Sequence, residues 1–159
     1  AIGARKMSYP LGEGDQIIST NDNGEPYKMI FNQNGAIIAN NIAANDGGGV
    51  YLNRNSNASF YGIECYMSKG VIESNIATGN GGGMCIYQDS VKDLGGLTIQ
   101  PINISIATTT DEFSITKNNA KNGGGLFIKT PDSITPIIDI YKGYILENQS
   151  VNNGGGILE

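Results

Sequence analysis

Few side chains in this sequence are of the types that catalyse reactions. Histidine is absent, and no two aspartates are adjacent. The nearest acidic doublet is Asp111-Glu112, in a threonine-rich turn. Glu64 and Glu73 are candidates for a carboxylate pair, since glycoside hydrolysis needs two such groups roughly 5 to 10 Å apart across a cleft. Solvated surface acids are the simpler interpretation, so we predict no catalytic residue and no enzyme activity.

Metal sites are weakly indicated as well. Asp46, Asp89 and Asp93 could hold calcium together with backbone oxygens, which are ligands that this ion prefers. The regular spacing of a calcium-binding loop is missing from the sequence. Arg54 is the only arginine after Arg5, and the asparagines around it indicate a polar loop. We therefore predict neither a metal ion nor a cofactor.

Composition and charge argue against several classes of protein. The chain of 159 residues has a net charge of −5, a pI of about 4.6 and no cluster of basic residues, which disfavours nucleic acid as a partner. No apolar run approaches the roughly 18 residues that cross a bilayer, so membrane insertion is not predicted. With 39% hydrophobic residues, the chain is long enough to bury the core of one domain.

The two cysteines, Cys65 and Cys85, leave two interpretations open. They are too few for a disulfide framework, so they can be two buried thiols that act as small apolar groups. A disulfide closing a loop of about 20 residues would instead suit a secreted chain. Sequence alone does not fix the Cα separation that a bridge requires.

Runs of glycine mark a repeating unit that must position the side chains described above. Three consecutive glycines recur four times, each time followed by an apolar stretch. Glycine accommodates positive φ and close backbone approach, so we expect these runs at the sharp corners of a repeating unit. The glycines are Gly47, Gly48, Gly49, Gly81, Gly82, Gly83, Gly123, Gly124, Gly125, Gly154, Gly155 and Gly156.

A second motif precedes each glycine run. It consists of an isoleucine, two variable residues, an asparagine, one variable residue, and alanine or serine. The first glycine follows the asparagine by six, six, five and six residues in the four copies. Because an amide both donates and accepts, equivalent asparagines of stacked units can form a ladder. These asparagines are Asn41, Asn75, Asn118 and Asn148. Residues that tolerate left-handed backbone come just before the glycines: Asp46, Asn80, Asn122 and Asn153.

The repeat predicts an all-β chain. Short strands without helical periodicity, in a unit that returns four times, indicate a solenoid of about four stacked coils. The repeats cover residues 34–159 and start near residues 34, 69, 113 and 142. Residues 1–33 form a turn-rich lead-in that caps or docks on the stack, with short strands at 17–18 and 27–31. The fourth copy ends without a polar cap, so we expect a longer chain or another copy to cover it.

One stripe of side chains is less easily explained by packing. The strand after each glycine run is apolar on both faces, and such strands are usually covered on both. The stripe is covered by the insertion at residues 88–101, or it makes a lateral contact with another chain. Its members are Tyr51, Cys85, Phe127 and Leu158.

Three tripeptides match the acceptor pattern for N-glycosylation. They begin at Asn57, Asn103 and Asn148, and they matter only in a eukaryotic secreted protein. Asn57 lies in a polar loop and is the best acceptor, and Asn103 is intermediate. Asn148 belongs to the expected ladder, so a glycan there would contradict the proposed register.

The two motifs together resemble the repeats of polymorphic outer membrane proteins and related autotransporter-type and protist surface proteins. In that family the repeat is usually Phe-x-x-Asn with Gly-Gly-Ala-Ile. Here isoleucine replaces phenylalanine at Ile38, Ile72, Ile115 and Ile145, and a third glycine replaces alanine. The resemblance covers residues 34–159 and implies a right-handed parallel β-helix shaped like the pectate-lyase-like superfamily. It also implies an extracellular or surface-displayed protein, often an adhesin or a stalk.

The expected function is that of a non-enzymatic structural or adhesive module at the cell surface. We expect self-association end to end into a fibre, or continuation within a larger surface protein, with surface glycans as further partners. The alternative is a β-helix that binds or cleaves carbohydrate through a lateral groove. A stiff rod of this kind would present the loops at residues 53–60, 88–101 and 129–136 along its sides.

Overall fold

A computed structural model describes residues 2–3, 16–18, 27–54, 60–88, 102–106 and 112–159. All regular elements of these residues are β-strands, and the predicted all-β class is confirmed. In chain order the strands are β1 (Ile2–Gly3), β2 (Gln16–Ile18), β3 (Tyr27–Ala39), β4 (Ile42–Ala43), β5 (Val50–Arg54), β6 (Phe60–Glu73), β7 (Ile76–Ala77), β8 (Met84–Gln88), β9 (Asn103–Ile106), β10 (Phe113–Thr116), β11 (Asn119–Asn122), β12 (Leu126–Lys129), β13 (Ile137–Ile140), β14 (Gly143–Leu146), β15 (Gln149–Asn153) and β16 (Ile157–Leu158).

The strands form three sheets in which nearly every pair is parallel. Sheet 1 has the order β1-β5-β8-β12-β16, and sheet 3 has the order β15-β11-β7-β4. Sheet 2 has the order β13-β9-β6-β10-β14, with β3 beside β6 and β2 beside β3. Only the β2–β3 pair is antiparallel among the described strands. Each repeat contributes to sheet 2, then to sheet 3, then to sheet 1, an arrangement that is compatible with a β-helix.

The repeats pair in a register that stacks like residues on like. Ile38 pairs with Ile72, Ile72 with Ile115, and Ile115 with Ile145 in sheet 2. In sheet 1 the equivalent column is Val50, Met84, Leu126 and Ile157. These columns meet in one core, so a residue type that recurs at the same place in each repeat fills the same slot in each layer.

The first layer begins earlier than the motif suggests. The strands expected at 17–18 and 27–31 are present as β2 and the start of β3. β3 runs without a break across residues 33 and 34 and pairs with β6 from Tyr27 onward. β1 adds a further strand to sheet 1 beside β5. The described part of the lead-in is therefore built into sheets 1 and 2.

The spacing irregularity of the third repeat is visible in sheet 3. Ala120 pairs with Ser150, but Asn122 pairs with Asn153, so the register shifts between the two pairs. The fourth repeat has one more residue between its asparagine and its glycines than the third. The extra residue is absorbed as a bulge in β15, which leaves the glycine runs of the two repeats in line.

The left-handed backbone positions differ from those expected. Asp46, Asn80, Asn122 and Asn153 are not among the residues with positive φ. Among the described residues, positive φ occurs just before the ladder asparagines, at Asn40, Ser74, Lys117 and Glu147, with φ between 54° and 57°. It also occurs at the first glycine of each run, and at Gly35 and Gly70. Single left-handed residues thus lie both at the corner between sheets 2 and 3 and, as glycine, at the corner between sheets 3 and 1.

The described ranges include no helix that is both long enough and apolar enough to cross a membrane.

Candidate functional site

Four asparagines form a hydrogen-bonded row inside the corner between sheets 2 and 3, which we call the inner row (Asn41, Asn75, Asn118 and Asn148). Asn118 Oδ1 accepts from Asn75 N at 2.9 Å and from Asn75 Nδ2 at 3.0 Å. Asn118 Nδ2 donates to Ile72 O at 2.9 Å and to Asn148 Oδ1 at 2.9 Å. Each such side chain joins its own repeat to the layers on both sides.

The inner row leaves no hydrogen-bonding capacity for a ligand at its buried members. Asn75 uses its amide in the same way as Asn118, and both residues are 0% exposed. A side-chain amide offers two donor hydrogens and an oxygen with two lone pairs, and all four are used here. At the end of the row, Asn148 Nδ2 donates to Ile115 O at 2.8 Å. A glycan on that nitrogen would break the row, so the inner row has a structural role.

The glycine runs let adjacent layers approach closely at the corner before sheet 1. Gly47 N donates to Asn80 O at 2.8 Å, and Gly81 N donates to Asn122 O at 2.9 Å. A Cβ at Gly83 would lie 2.6 Å from Gly125 O and 2.9 Å from Asn118 Nδ2. Real Cβ atoms do not approach so closely. Glycine at this position is therefore needed for the stacking distance, and its φ plays no part.

The predicted stripe on the outer face of sheet 1 is in register. Tyr51 pairs with Cys85, Cys85 with Phe127, and Phe127 with Leu158. Tyr51, Phe127 and Leu158 are half-buried, whereas Cys85 is 0% exposed although it lies outside the core cluster. Its bulky neighbours in register cover the small cysteine. Most of the insertion at residues 88–101 lies outside the described residues, so the two explanations of the stripe both stay open.

A third ring joins this surface, and we call Tyr51, Tyr87 and Phe127 the aromatic cluster. The Tyr87 centroid lies 6.0 Å from that of Tyr51 and 5.6 Å from that of Phe127. Lys129 Nζ lies 5.8 Å from the centroid of Tyr87. Asn53 Nδ2 donates to Tyr51 Oη at 3.1 Å, and Asn80 Nδ2 donates to Tyr87 Oη at 2.9 Å. The cluster is a half-buried apolar wall whose hydroxyl groups are held by amides.

A second polar row lies outside the stack, on the corner beside the aromatic cluster, and we call it the outer row (Asp46, Asn80 and Asn122). Asp46 Oδ1 accepts from Asn80 N at 2.7 Å and from Asn80 Nδ2 at 3.0 Å. Asn80 Oδ1 accepts from Asn122 Nδ2 at 2.8 Å. All three residues are half-buried. The outer row is thus ordered like the inner row but faces solvent.

The outer row lines an open groove of about 820 Å³. Asn45 and Asp46 contribute from the first repeat, Thr78 and Asn80 from the second, and Lys121 and Asn122 from the third. Tyr51 also lines the groove and connects it to the aromatic cluster. Thr78 Oγ1 donates to Ala44 O, which ties the second repeat to the first along the groove. The groove combines ordered polar groups with an aromatic ring in one concave surface.

The electrostatics of this region suppress ionisation. Burial, with a further contribution from the Asp46 carboxylate, raises the pKa of Tyr87 to about 12. Burial first, and Asp46 second, also raise the pKa of the Cys85 thiol. Thiolates are the reactive form of cysteine, so Cys85 is chemically inert where it lies. The ordered polar side chains that line the groove are suited to binding through hydrogen bonds.

The two cysteines are separate buried thiols. Both are free, and they lie on opposite faces of different sheets. Cys65 belongs to the core cluster, whereas Cys85 is buried within the stripe on the outer face of sheet 1. Burial also raises the pKa of Cys65, with a smaller effect from Glu64. The structure therefore agrees with the interpretation of Cys65 and Cys85 as two buried thiols, and it contains no disulfide between them.

The residues considered for catalysis do not come together. Glu64 and Glu73 lie on the same strand, β6, nine positions apart. At roughly 3.3 Å per residue, that is about 30 Å of extended chain, far beyond the separation of a hydrolytic pair. Arg54 is not in a polar loop: it ends β5 and is 1% exposed. Glu112 is exposed, and Asp111 lies outside the described residues.

Neither predicted cation ligands nor glycan acceptors converge on a site. Within the described ranges, no three cysteine or acidic side chains are grouped as metal ligands. Asp89 and Asp93 lie outside those ranges, and Asp46 is bonded into the outer row. Asn103 is half-buried in β9, on the face of sheet 2 shared with Glu64. Asn57, the preferred acceptor, also lies outside the described residues.

Sequence reasoning missed Tyr87 and the groove. Tyr87 is the second outward residue after its glycine run, and the equivalent residues are Asn53 and Lys129. No residue type recurs at that position, so the repeat gives no signal there. The residue just before each glycine run is polar in every repeat, as Asp46, Asn80 and Asn122 are along the groove, and that shared polarity was the available signal.

Comparisons with known proteins identify neither a family nor a function for this chain. No protein-family model, curated protein or solved structure matches the chain. The function must therefore be argued from the stack, the aromatic cluster and the groove.

Proposed function

We propose that this chain is a right-handed parallel β-helix that serves as a non-enzymatic structural or adhesive module outside the cell. Its repeats would stack end to end on further repeats, either of the same polypeptide or of a second copy. The pattern that resembles polymorphic outer membrane and autotransporter-type repeats supports this reading. The right-handed form is supported by the handedness of parallel crossovers, which is nearly universal.

The observation that carries this proposal is the exposed edge formed by β13, β14, β15 and β16, the last strands of the three sheets at this end. Ile106 in β9 is 0% exposed, whereas its partner Ile140 in the outermost strand β13 is 42% exposed. Ile115 is likewise 0% exposed, and its partner Ile145 is only partly buried. One added layer therefore buries a column of isoleucines. Apolar surface of this kind favours association by roughly 25 cal/mol per Å² removed from water.

The polar groups at the same edge favour another parallel layer as the occupant. Asn148 accepts two hydrogen bonds from Asn118 and donates one to Ile115 O. In the preceding layers, the second Nδ2 hydrogen goes to the asparagine of the next repeat. A layer with an asparagine in register would extend this ladder, and its strands would pair with β14, β15 and β16. Strand edges of this kind are templates for pairing.

The proposal includes an extracellular or surface location and adhesive contacts with surface glycans. The motifs support both through the family that they resemble, and the acceptor tripeptides at Asn57 and Asn103 would be used in a eukaryotic secretory pathway. The small fraction of charged residues and the rows of amides suit a rod that is built from repeated units. The net negative charge disfavours binding to nucleic acid. Binding of carbohydrate in a lateral groove is compatible with this role.

The test is electron microscopy of the native material together with its intact mass. Filaments built from units near 16.8 kDa plus any glycan support association of copies. Rods from one much heavier polypeptide support continuation within a longer chain. A native polypeptide of 16.8 kDa that stays monomeric at about 1 mM contradicts both versions.

A matched pair of variants tests the edge itself. Ile140→Lys places a charge on the exposed edge strand β13, and it should weaken association of copies by about tenfold or more. Ile76→Lys makes the same change on β7, which lies between β11 and β4 in sheet 3 and away from both ends of the stack; Ile76 is 43% exposed. The control should associate like the unmodified chain. Equal effects of the two variants would contradict stacking through the edge.

A further inference from the structure

The groove beside the outer row repeats its chemistry along the stack. Asp46, Asn80 and Asn122 come from equivalent positions of three consecutive repeats and are joined by their side chains. Adjacent layers of parallel strands are about 4.8 Å apart, so similar polar groups recur at that interval along the groove. A site with this periodicity matches a ligand that is itself built from repeated units.

The polar groups of the groove are held in place before any ligand arrives. Asn80 is fixed by four contacts, two to Asp46 and one each to Tyr87 and Asn122. Thr78 is tied to Ala44. A side chain already fixed in its bound conformation loses little entropy on binding. The ordered row therefore has the preorganisation of a binding surface.

The backbone of the groove is unsuited to pairing with a peptide. Its amide groups are used between layers: Thr78 N donates to Ala43 O, Gly79 N to Asn45 O, and Lys121 N to Gly79 O. An extended peptide gains affinity mainly by adding a strand to an unpaired edge, and none is available along this wall. Recognition in the groove must come from side chains.

Those side chains match hydroxyl groups. Asn45 is exposed, Asn122 retains its Oδ1, and Thr78 carries a hydroxyl, so the groove presents donors and acceptors side by side. A sugar hydroxyl also donates and accepts, whereas a phosphate or carboxylate only accepts. The groove carries one acid, Asp46, and one base, Lys121, so it has no excess positive charge for a polyanion.

The aromatic cluster supplies the apolar complement. Tyr51 is half-buried and lines the groove, with the rings of Tyr87 and Phe127 continuing behind it. Sugar rings have an apolar face of C–H groups, and aromatic side chains combine a flat apolar surface with a polar edge. Few other ligand classes need both a row of amides and a ring at its side.

We propose that the groove binds a neutral oligosaccharide, with one sugar ring against Tyr51 and its hydroxyl groups bonded to Asn45, Thr78 and Asn122. The chain of sugars would run along the stack, with Lys121 at the far end. This binding rests on the adhesive part of the proposed function and does not depend on stacking, because one copy contains the whole groove.

The test titrates the 159-residue chain with neutral hexasaccharides and follows the backbone amide signals by NMR. Cellohexaose, laminarihexaose, chitohexaose and maltohexaose are the probes. At least one should bind with a Kd of about 1 mM or tighter and should shift signals of Asn45, Gly79 and Lys121. Asn45→Ala should weaken that binding by about fivefold, which corresponds to the loss of one net hydrogen bond.

Two further variants make the result decisive. Tyr51→Ala should weaken binding by about tenfold or more, because it removes the ring. Asn119→Ala is the matched control: Asn119 is exposed on sheet 3 and does not line the groove, so binding should stay within about twofold. Asn45 is exposed as well, so Asn45→Ala should fold normally and keeps the test valid if Tyr51→Ala does not.

Several outcomes would overturn the proposal. One is the absence of binding by all four hexasaccharides at about 10 mM. Another is binding that Asn45→Ala and Tyr51→Ala leave unchanged, since the ligand would then lie elsewhere. Tighter binding of trigalacturonate than of every neutral probe would show an anion site instead. Stacking is measured separately by mass and microscopy, so the absence of sugar binding would leave the stacking part of the proposed function standing.

Discussion

The inner row and the outer row use the same chemistry at two corners of the stack, one in its interior and one at its surface. In both, a side-chain amide of one repeat bonds to the equivalent residue of the next. Asn75 and Asn118 are 0% exposed, and their amides have no unused donor or acceptor. The residues of the outer row are half-buried and begin with an aspartate that can only accept. The inner row is therefore saturated, whereas the outer row has capacity left.

This difference separates what holds the stack from what can bind a ligand. A buried amide that loses its partners leaves unsatisfied polar groups behind, and their desolvation is costly. An amide at the surface can exchange its partner for water at little cost. The inner row should therefore be sensitive to every change, and the outer row should tolerate substitution while affecting recognition.

The largest expected effect is that of Asn118→Ala. The substitution leaves Asn75 N, one Asn75 Nδ2 hydrogen and Ile72 O without partners in the interior. The free energy of unfolding should fall by about 3 to 5 kcal/mol, measured by urea denaturation. Asn122→Ala is the counterpart in the outer row and removes one half-buried hydrogen bond, so about 1 kcal/mol is expected. Equal losses would mean that the two rows do not differ.

The next largest effect is expected in the glycine runs, where Gly83 lies against the inner row. Gly83→Ala would press a Cβ against Gly125 O at 2.6 Å and Ile115 Cγ2 at 2.9 Å, so a loss of stability of about 2 to 4 kcal/mol is expected. Gly156→Ala is the matched control, because its Cβ would meet only Ile145 Cγ2 at 3.6 Å. In the monomeric chain the control should change stability by less than about 0.5 kcal/mol. Thermal unfolding of both variants checks this, and a destabilised control would refute the stacking explanation.

The smallest effect concerns the carboxylate of the outer row. The pKa of Tyr87 is raised to about 12 by burial and by Asp46, so its contribution to stability is lost as pH rises from about 10 to about 12. Asp46→Asn removes the nearby charge and should lower the pKa of Tyr87. Spectrophotometric titration of the phenols measures the shift, with Tyr87→Phe to identify the signal. The control is Glu73→Gln on sheet 2, which should leave the titration unchanged. If Asp46→Asn also leaves it unchanged, the carboxylate of the outer row has no electrostatic effect on the aromatic cluster, which contradicts the account.

The sequence predicted those features that recur with the repeat. The aliphatic columns and the inner row lie in register because Ile72, Ile115, Asn75 and Asn118 hold the same places in their units. Such stacking requires only that each unit has the same path, so spacing is sufficient evidence for it. The shorter spacing of the third repeat was also visible in the sequence, and the neighbouring strand β15 accommodates it as a bulge.

Features without a recurring residue type were not predictable. The left-handed residues before the inner row are Asn40, Ser74, Lys117 and Glu147, which are all polar but share neither residue type nor charge. Tyr87 has no aromatic equivalent in the neighbouring repeats. The burial of Arg54 depends on the inward direction of the last residue of β5, and the asparagines beside it gave the opposite signal. The length of β6 separated Glu64 from Glu73, and no local pattern marked that strand as a single element.

Hydrogen exchange of the side-chain amides tests the central claim most directly. The account predicts that the NH2 protons of Asn75 and Asn118 exchange only when the stack opens, at least about a hundredfold more slowly than those of the exposed Asn45. The NH2 protons of Asn122 should exchange at an intermediate rate. Comparable rates for all four side chains would contradict the distinction between a saturated inner row and an available outer row.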